Sequence, residues 1–442
     1  MLNPPRMEGF SRTLRLDPAC TFRSIGLISK VVGLTIEAKG PSCSIGDLVR
    51  IETGGRNGGE CLAEVVGFRD DRVLLFPLEE MSGVRSGDKV LRVSGGLRIP
   101  VGPGLLGRVL DGLGRPIDGK GPVVATEYWP VHRPAPNSML RTRIAEPLPT
   151  GVRCIDAMTT CGKGQRMGIF AGSGVGKSSL IGMICRNCRA DLNVVSLIGE
   201  RGKEVRDFIE DALGEEGLQR SVLVVSTSDK SPMQRVKGAE TGMAIAEYFR
   251  DRGRDVMFVM DSVTRYAMAQ REIGLAVGEP PATRGYPPSV FSMMPALLER
   301  AGTDRNGSIT GFFSVLVEGD DMNDPIADTA RGILDGHVEL SRALAAQGHY
   351  PAVDVLTSIS RVMSGVVSPE HRACANTIRG LLATYRNAED MINIGAYSKG
   401  GNPKIDAAIA KKPAIDSLLR QELDSNTPFD DTMAMLRQVA EG

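Results

Sequence analysis

The stretch Ala171-Gly172-Ser173-Gly174-Val175-Gly176-Lys177-Ser178, running on into Ser179, has the types and spacing of a phosphate cradle. Glycines let a backbone curl with its N–H groups pointing inward, because no Cβ blocks the required angles. An apolar run, Met167–Phe170, precedes the turn and reads as a short buried strand; Ser179–Cys185 follows with a helix period. A helix starting there adds partial positive charge where the anion would sit. Lys177 supplies a mobile cation for the outer phosphates, and Ser178 a hydroxyl for Mg²⁺. Ala171 stands where the motif usually begins with glycine, but its diagnostic end, Val175–Ser178, is intact. The implied ligand is a nucleoside triphosphate.

Hydrolysis of such a ligand needs more than a cradle. Val256–Met260 is a near-continuous apolar run ending in Asp261. A buried strand that delivers a carboxylate at its end suits a partner for Mg²⁺, through a bound water. Leu197-Ile198 ends another apolar run and is followed at once by Gly199-Glu200-Arg201. Glu200 could orient a water for in-line attack on the γ-phosphate; equally, it could be a solvated loop glutamate paired with Arg201. Charge developing in the transition state calls for an arginine, often one from a neighbouring subunit. Arg361, in Ser358-Ile359-Ser360-Arg361, is a candidate, but spacing does not select it from the other arginines.

These groups need a scaffold. Between about Gly164 and Met363, β-rich runs (165–170, 193–198, 221–226, 255–260 and 308–317) alternate with helix-length stretches. The clearest helix runs from Met233 to Arg252 behind Ser231, a natural N-cap, and Pro232. Alternation of this kind predicts an α/β core: a mostly parallel sheet covered by helices on both faces, with ligands at the carboxyl ends of the strands. Upstream, five short β-rich runs between Gly26 and Val93, punctuated by Gly, Asp and Pro, predict a small closed barrel or sandwich. The barrel lacks the clustered aromatics that stack bases, so an assembly collar is expected rather than a nucleic-acid module. Gly96–Gly151 reads as a Gly/Pro-rich crossing. The end of the chain, from about Ser364, reads as helical, divided by Pro413 near a helix start and by turns at Gly395, Gly400 and Gly401. The first 22 residues or so read as a loose leader.

Composition narrows the class. With 442 residues, two or three domains are expected. Formal net charge is zero, which argues against a general polyanion binder. No signal pattern or long apolar span is seen, so a cytosolic protein is expected. The eight cysteines include one Cys-x-x-Cys, Cys185 and Cys188, inside the helix after the cradle. Reduced, partly buried thiols are the expectation. The four histidines are dispersed and suggest no ligand set.

Further stretches carry a family resemblance. Pro351–Ser360 (PAVDVLTSIS), Gly285–Phe291 (GYPPSVF) and Leu297–Gly302 (LLERAG) resemble signatures of the catalytic subunits of rotary ATP synthases, over a span from about residue 25 to the C-terminus. Within that group, the cradle wording, Asp261–Glu272 and the tail Ile394–Pro403 look most like the ATPases of flagellar protein export and type III secretion.

The resemblance implies a RecA-like P-loop core, an N-terminal β-barrel and a C-terminal helical domain. The implied segments are 1–24 (leader), 25–95 (barrel), 96–370 (ATPase core with connector) and 371–442 (helical). It implies ATP and Mg²⁺ as ligands, with Ala171 to Ser179 around the phosphates and Tyr350 against adenine. Lys177, Glu200 and Arg361 become the catalytic set, with Ser178 and Asp261 on the metal side. Arg361 would serve the adjacent protomer of a homohexamer. A regulatory stator protein, a central stalk protein near Glu318–Asp324, an export gate and chaperone–cargo complexes would be partners, at the cytoplasmic face of the inner-membrane export apparatus. Flagellar export is the leading expectation; virulence-type secretion and a rotary synthase subunit are the alternatives.

Overall fold

In the barrel, apolar residues alternate along each strand, and alternation puts one set inside. Ile28, Ile36, Ala38, Val49, Ile51, Cys61, Ala63, Val65, Val73, Leu75 and Val90 form that buried core. Six strands, Ile25–Val32, Thr35–Lys39, Leu48–Thr53, Gly59–Arg69, Arg72–Pro77 and Lys89–Ser94, close on themselves, the first pairing with the sixth. The computed structural model describes residues 24–54, 59–317, 319 and 321–442. The leader up to residue 23, with its prolines, and Glu318 and Asp320 lie outside the described residues. Thr35–Lys39 is a strand that the sequence reading passed over: with Thr35, Glu37 and Lys39 interleaved among Ile36 and Ala38, it shows little apolar content of its own.

Chain contacts divide the protein into two units: residues up to 76 with 81–95, and 77–80 with 96–442. The second unit is built on a nine-stranded sheet. From one edge to the other its main path runs Ile359–Ser360, Gly336–Leu340, Arg166–Ala171, Ser308–Leu316, Asp255–Asp261, Leu192–Ile198, Ser221–Ser226 and Val109–Asp111. Every pairing along this path is parallel except that of the short edge strand Ile359–Ser360. The five strands from Arg166–Ala171 to Ser221–Ser226 along this path are nearly all buried, as a parallel sheet covered on both faces demands. The connector does more than cross. Val109–Asp111 extends the sheet beside Ser221–Ser226, and Arg98–Val101 pairs with Glu127–Pro130 in a separate ribbon.

The helix Pro232–Arg250 starts at the expected cap: Ser231 Oγ accepts from Gln234 N at 3.1 Å. It is buried on nearly every side, so its charges must be paired. Glu247 meets Arg300 through two 2.9 Å hydrogen bonds, and Lys237 donates to Glu240 at 3.1 Å.

The C-terminal part holds three helices, Pro369–Asn393, Pro403–Leu419 and Phe429–Glu441. Here one expectation fails. Pro413 does not start a helix; it lies inside Pro403–Leu419. Burial of Ala408 before it and Ile415, Leu418 and Leu419 after it keeps the helix continuous across the missing N–H. Among the described residues no helix is long and apolar enough to cross a membrane.

Candidate active site

The loop after strand Arg166–Ala171 turns through two left-handed glycines, Gly174 at φ 78° and Gly176 at φ 95°. A residue with a Cβ would be strained at both. The helix then begins at Lys177 and runs to Asn187. Ser173, Gly174 and Ser178 face solvent, while Ala171, Gly172 and Val175 are buried under them. The loop therefore offers backbone N–H groups and a helix N-terminus to one open side, with Ser178 and Ser179 in the first turn.

Neighbouring strands bring in the carboxylates. Asp255–Asp261 lies one strand away, beyond Ser308–Leu316. Its last residue, Asp261, is 4 % exposed and accepts a hydrogen bond from Lys177 Nζ at 2.5 Å. Leu192–Ile198 follows in the sheet, and Glu200 leaves its end through Gly199, at φ 74°. That glycine is required twice over: a Cβ there would come within 2.8 Å of the Arg265 side chain. Backbone bonds from Gly199 N to Ser226 O and from Ser228 N to Glu200 O pin the turn. The result puts Glu200 Oε1 3.7 Å from Lys177 Nζ. The pairing with Arg201 does not form; Arg201 lies nearest Glu204, at 3.9 Å on the surface.

The charges shape one another. Burial raises the Glu200 carboxyl, the Asp261 charge raises it further, and Lys177 pulls it back; it comes to about 7. Burial disfavours the Lys177 ammonium, but Asp261 and Glu200 outweigh that and hold it above the ordinary lysine value. The Lys177 cation is thus held firm between Asp261 and a Glu200 carboxyl poised near neutrality to gain or lose a proton.

Tyr350 is brought to the same place. Its ring atoms lie 3.7–3.8 Å from where a Cβ on Gly176 would stand, and the residue is 46 % exposed. Its carbonyl accepts from Gln421 N at 2.9 Å. Gln421 also bonds Gly151 O, Ser425 O and Arg153 N, so it ties Tyr350 to the helical end of the chain.

Arg361 is not brought together with these residues. It follows edge strand Ile359–Ser360, where Ser360 is level with Gly336 and so with the start of the loop strand. The phosphate loop leaves the other end, about 13 Å away along the strand at 3.3 Å per residue. The Arg361 side chain is exposed and, among the described residues, hydrogen-bonds only the Arg331 carbonyl, at 3.3 Å.

Two residues escaped the sequence reading. Ser314 Oγ donates to Asp261 Oδ1 at 2.6 Å, and Gln421 positions Tyr350. Ser314 left a faint signal, a lone hydroxyl inside the apolar run Phe312–Leu316. Gln421 left none, because Tyr350, Arg153 and Gly151, the partners that matter to the site, are 71 to 270 residues away. Cys185 and Cys188 are buried with their thiols pushed up by burial, Cys188 to about 12, and are inert. Among the described residues no group of three or more His, Cys, Asp or Glu could hold a metal alone. A hydroxyl on Ser178 and a carboxylate on Asp261 fit Mg²⁺ that arrives with phosphates, since that ion takes few protein oxygens and keeps waters.

Sequence comparison decides the family. The ATP synthase alpha/beta family, nucleotide-binding domain, matches residues 151–360; the beta-barrel domain of the same family matches 28–94. Residues 367–438 match the type III secretion EscN ATPase C-terminal domain. The flagellum-specific ATP synthase of Bacillus subtilis is 54 % identical over 95 % of this chain and 96 % of its own. The chain belongs to the ATP synthase alpha/beta family.

Its branch is equally plain. The type 3 secretion system ATPase of Xanthomonas euvesicatoria is 49 % identical over 95 % of both chains. Among solved structures, the assembled ATPase EscN of enteropathogenic E. coli superposes with a TM-score of 0.89 at 44 % identity, over 94 % of this chain and all of that one. EscN in complex with its central stalk EscO gives 0.87 at the same identity and coverage. The chain is thus a member of the flagellar and type III secretion ATPases, and its barrel, parallel-sheet core and helical end match that architecture.

Proposed function

We propose that this protein is the ATP-hydrolysing motor of a bacterial flagellar type III protein export apparatus. The observation that carries this is the meeting of Lys177, Asp261 and Glu200 beside an exposed glycine loop, in a chain most of whose length aligns with flagellar and secretion ATPases.

The loop N–H groups and the helix N-terminus receive the phosphates of ATP. The outer phosphates compete with Asp261 and Glu200 for the Lys177 ammonium and draw it onto themselves. Mg²⁺, held by Ser178 and through water by Asp261, would neutralise charge on the β- and γ-oxygens. Glu200, once ionised, orients and polarises the attacking water. Tyr350 packs on adenine. Arg361 of a neighbouring copy meets the charge that develops on the γ-phosphate, which requires a ring; a homohexamer is proposed, supported by the similarity to assembled EscN.

A central stalk protein is proposed as partner on the similarity to the EscN–EscO complex. Stator, export gate and chaperone–cargo complexes, met at the cytoplasmic face of the membrane, complete the proposed setting. Virulence-type secretion is the second reading, favoured by the EscN-type C-terminal match. Deleting the gene separates the two. Loss of filaments and of secreted flagellar subunits is expected; normal motility with loss of host-directed secretion would overturn the flagellar reading.

A further inference from the structure

Ser314 sits at the middle of the sheet, in the strand that separates the phosphate-loop strand from the one ending in Asp261. Its register places it level with Ile169 on one side and, one step past the Met260–Phe313 pair, with Asp261 on the other. It is fully buried between Phe313 and Val315. A hydroxyl buried in an apolar strand costs stability unless it is bonded. The bond that Ser314 makes is to Asp261 Oδ1, at 2.6 Å.

That oxygen also takes Lys177 Nζ, at 2.5 Å. Two donors on Oδ1 fix the rotation of the carboxylate and leave Oδ2 with no hydrogen bond from the described residues. When phosphates draw Lys177 away, the serine bond remains and keeps the carboxylate from turning. We infer that Ser314 is a positioning residue, which reserves Oδ2 of Asp261 for the water shell of the metal carried by the nucleotide. This rests on the proposed metal-side role of Asp261. Groups that orient a metal-side ligand typically contribute 10–100-fold in metal affinity.

The test compares Ser314→Thr with Ser314→Val, which match in shape and differ in the hydroxyl, with Ser314→Ala as the smaller alternative should the larger pair fold poorly. Binding of a fluorescent ATP analogue to the full-length protein is followed while Mg²⁺ is titrated, and again in EDTA. The threonine variant is expected to titrate like wild type. The valine and alanine variants are expected to need about tenfold more Mg²⁺, with binding in EDTA unchanged. Equal Mg²⁺ titrations for threonine, valine and wild type would overturn the inference, as would loss of binding in EDTA as well. Asp261→Asn is run alongside. If it too titrates like wild type, the metal-side reading of Asp261 has failed; if it shifts while the serine variants do not, only the role of Ser314 has.

Discussion

Lys177 is contested by two carboxylates, and burial of Glu200 beside the Asp261 charge, only partly offset by Lys177, makes Glu200 sensitive to pH. With its carboxyl near 7, well above an exposed glutamate, the folded protein binds that proton more tightly than the unfolded chain does. The associated stability is present at acid pH and is lost as pH rises through about 7. Melts without nucleotide should therefore show Glu200→Gln gaining on wild type between pH 5 and pH 8, by about 2 °C at the alkaline end. On the proposed role of Glu200, in which the ionised form works on water, hydrolysis runs the other way: kcat/KM should drop about tenfold per pH unit below 7. Glu200→Gln should lose about 10²–10⁴-fold in turnover while still binding ATP in a fluorescence titration. Undiminished hydrolysis in that variant would remove Glu200 from its role. Lys177 and Ser178 were legible in the sequence because their motif is local. Glu200 was half legible: its place after a strand could be read, but its choice of Lys177 over Arg201 depends on a turn pinned by Ser226 and Ser228. Ser314 was not legible, because what gives it meaning is an aspartate 53 residues earlier.

Elements were read best where one periodicity dominated. The inner strands of the sheet are dominated by apolar residues, and helix Pro232–Arg250 carries its cap and proline in sequence. Strand Val109–Asp111 was hidden in a Gly/Pro-rich stretch, since it becomes a strand only by adding to an edge already built by Ser221–Ser226. Pro413 misled for a related reason: local rules place a helix start there, and packing on both sides overrides them and carries one helix through it. That override has a measurable cost. Pro413→Ala should restore a donor toward the Ile409 carbonyl and raise the melting temperature by about 2–4 °C. In the loop, Gly176→Ala should cost about 1–2 kcal/mol through its left-handed φ alone, because a Cβ there meets Tyr350 only at ordinary contact distance. Chemical denaturation of the purified variant measures this.

For the molecule as a whole, the sheet sends Lys177 and Arg361 to opposite ends. On the assignment proposed above, each variant of the pair Lys177→Ala and Arg361→Ala should be inactive alone, the second while still binding ATP. Mixed in equal amounts and allowed to assemble, they should recover about a quarter of wild-type hydrolysis, because one junction in four then joins an intact cradle to an intact arginine. No recovery from co-assembled protein would place the arginine's work elsewhere. The separation has a physiological corollary. On the assignment proposed above, a copy that diffuses alone carries a fuel pocket without its spark, so a cell could stock this protein in quantity without draining its energy supply. Consumption then begins only where copies are gathered side by side, and the site of gathering, rather than any switch within the chain, decides where the energy is spent.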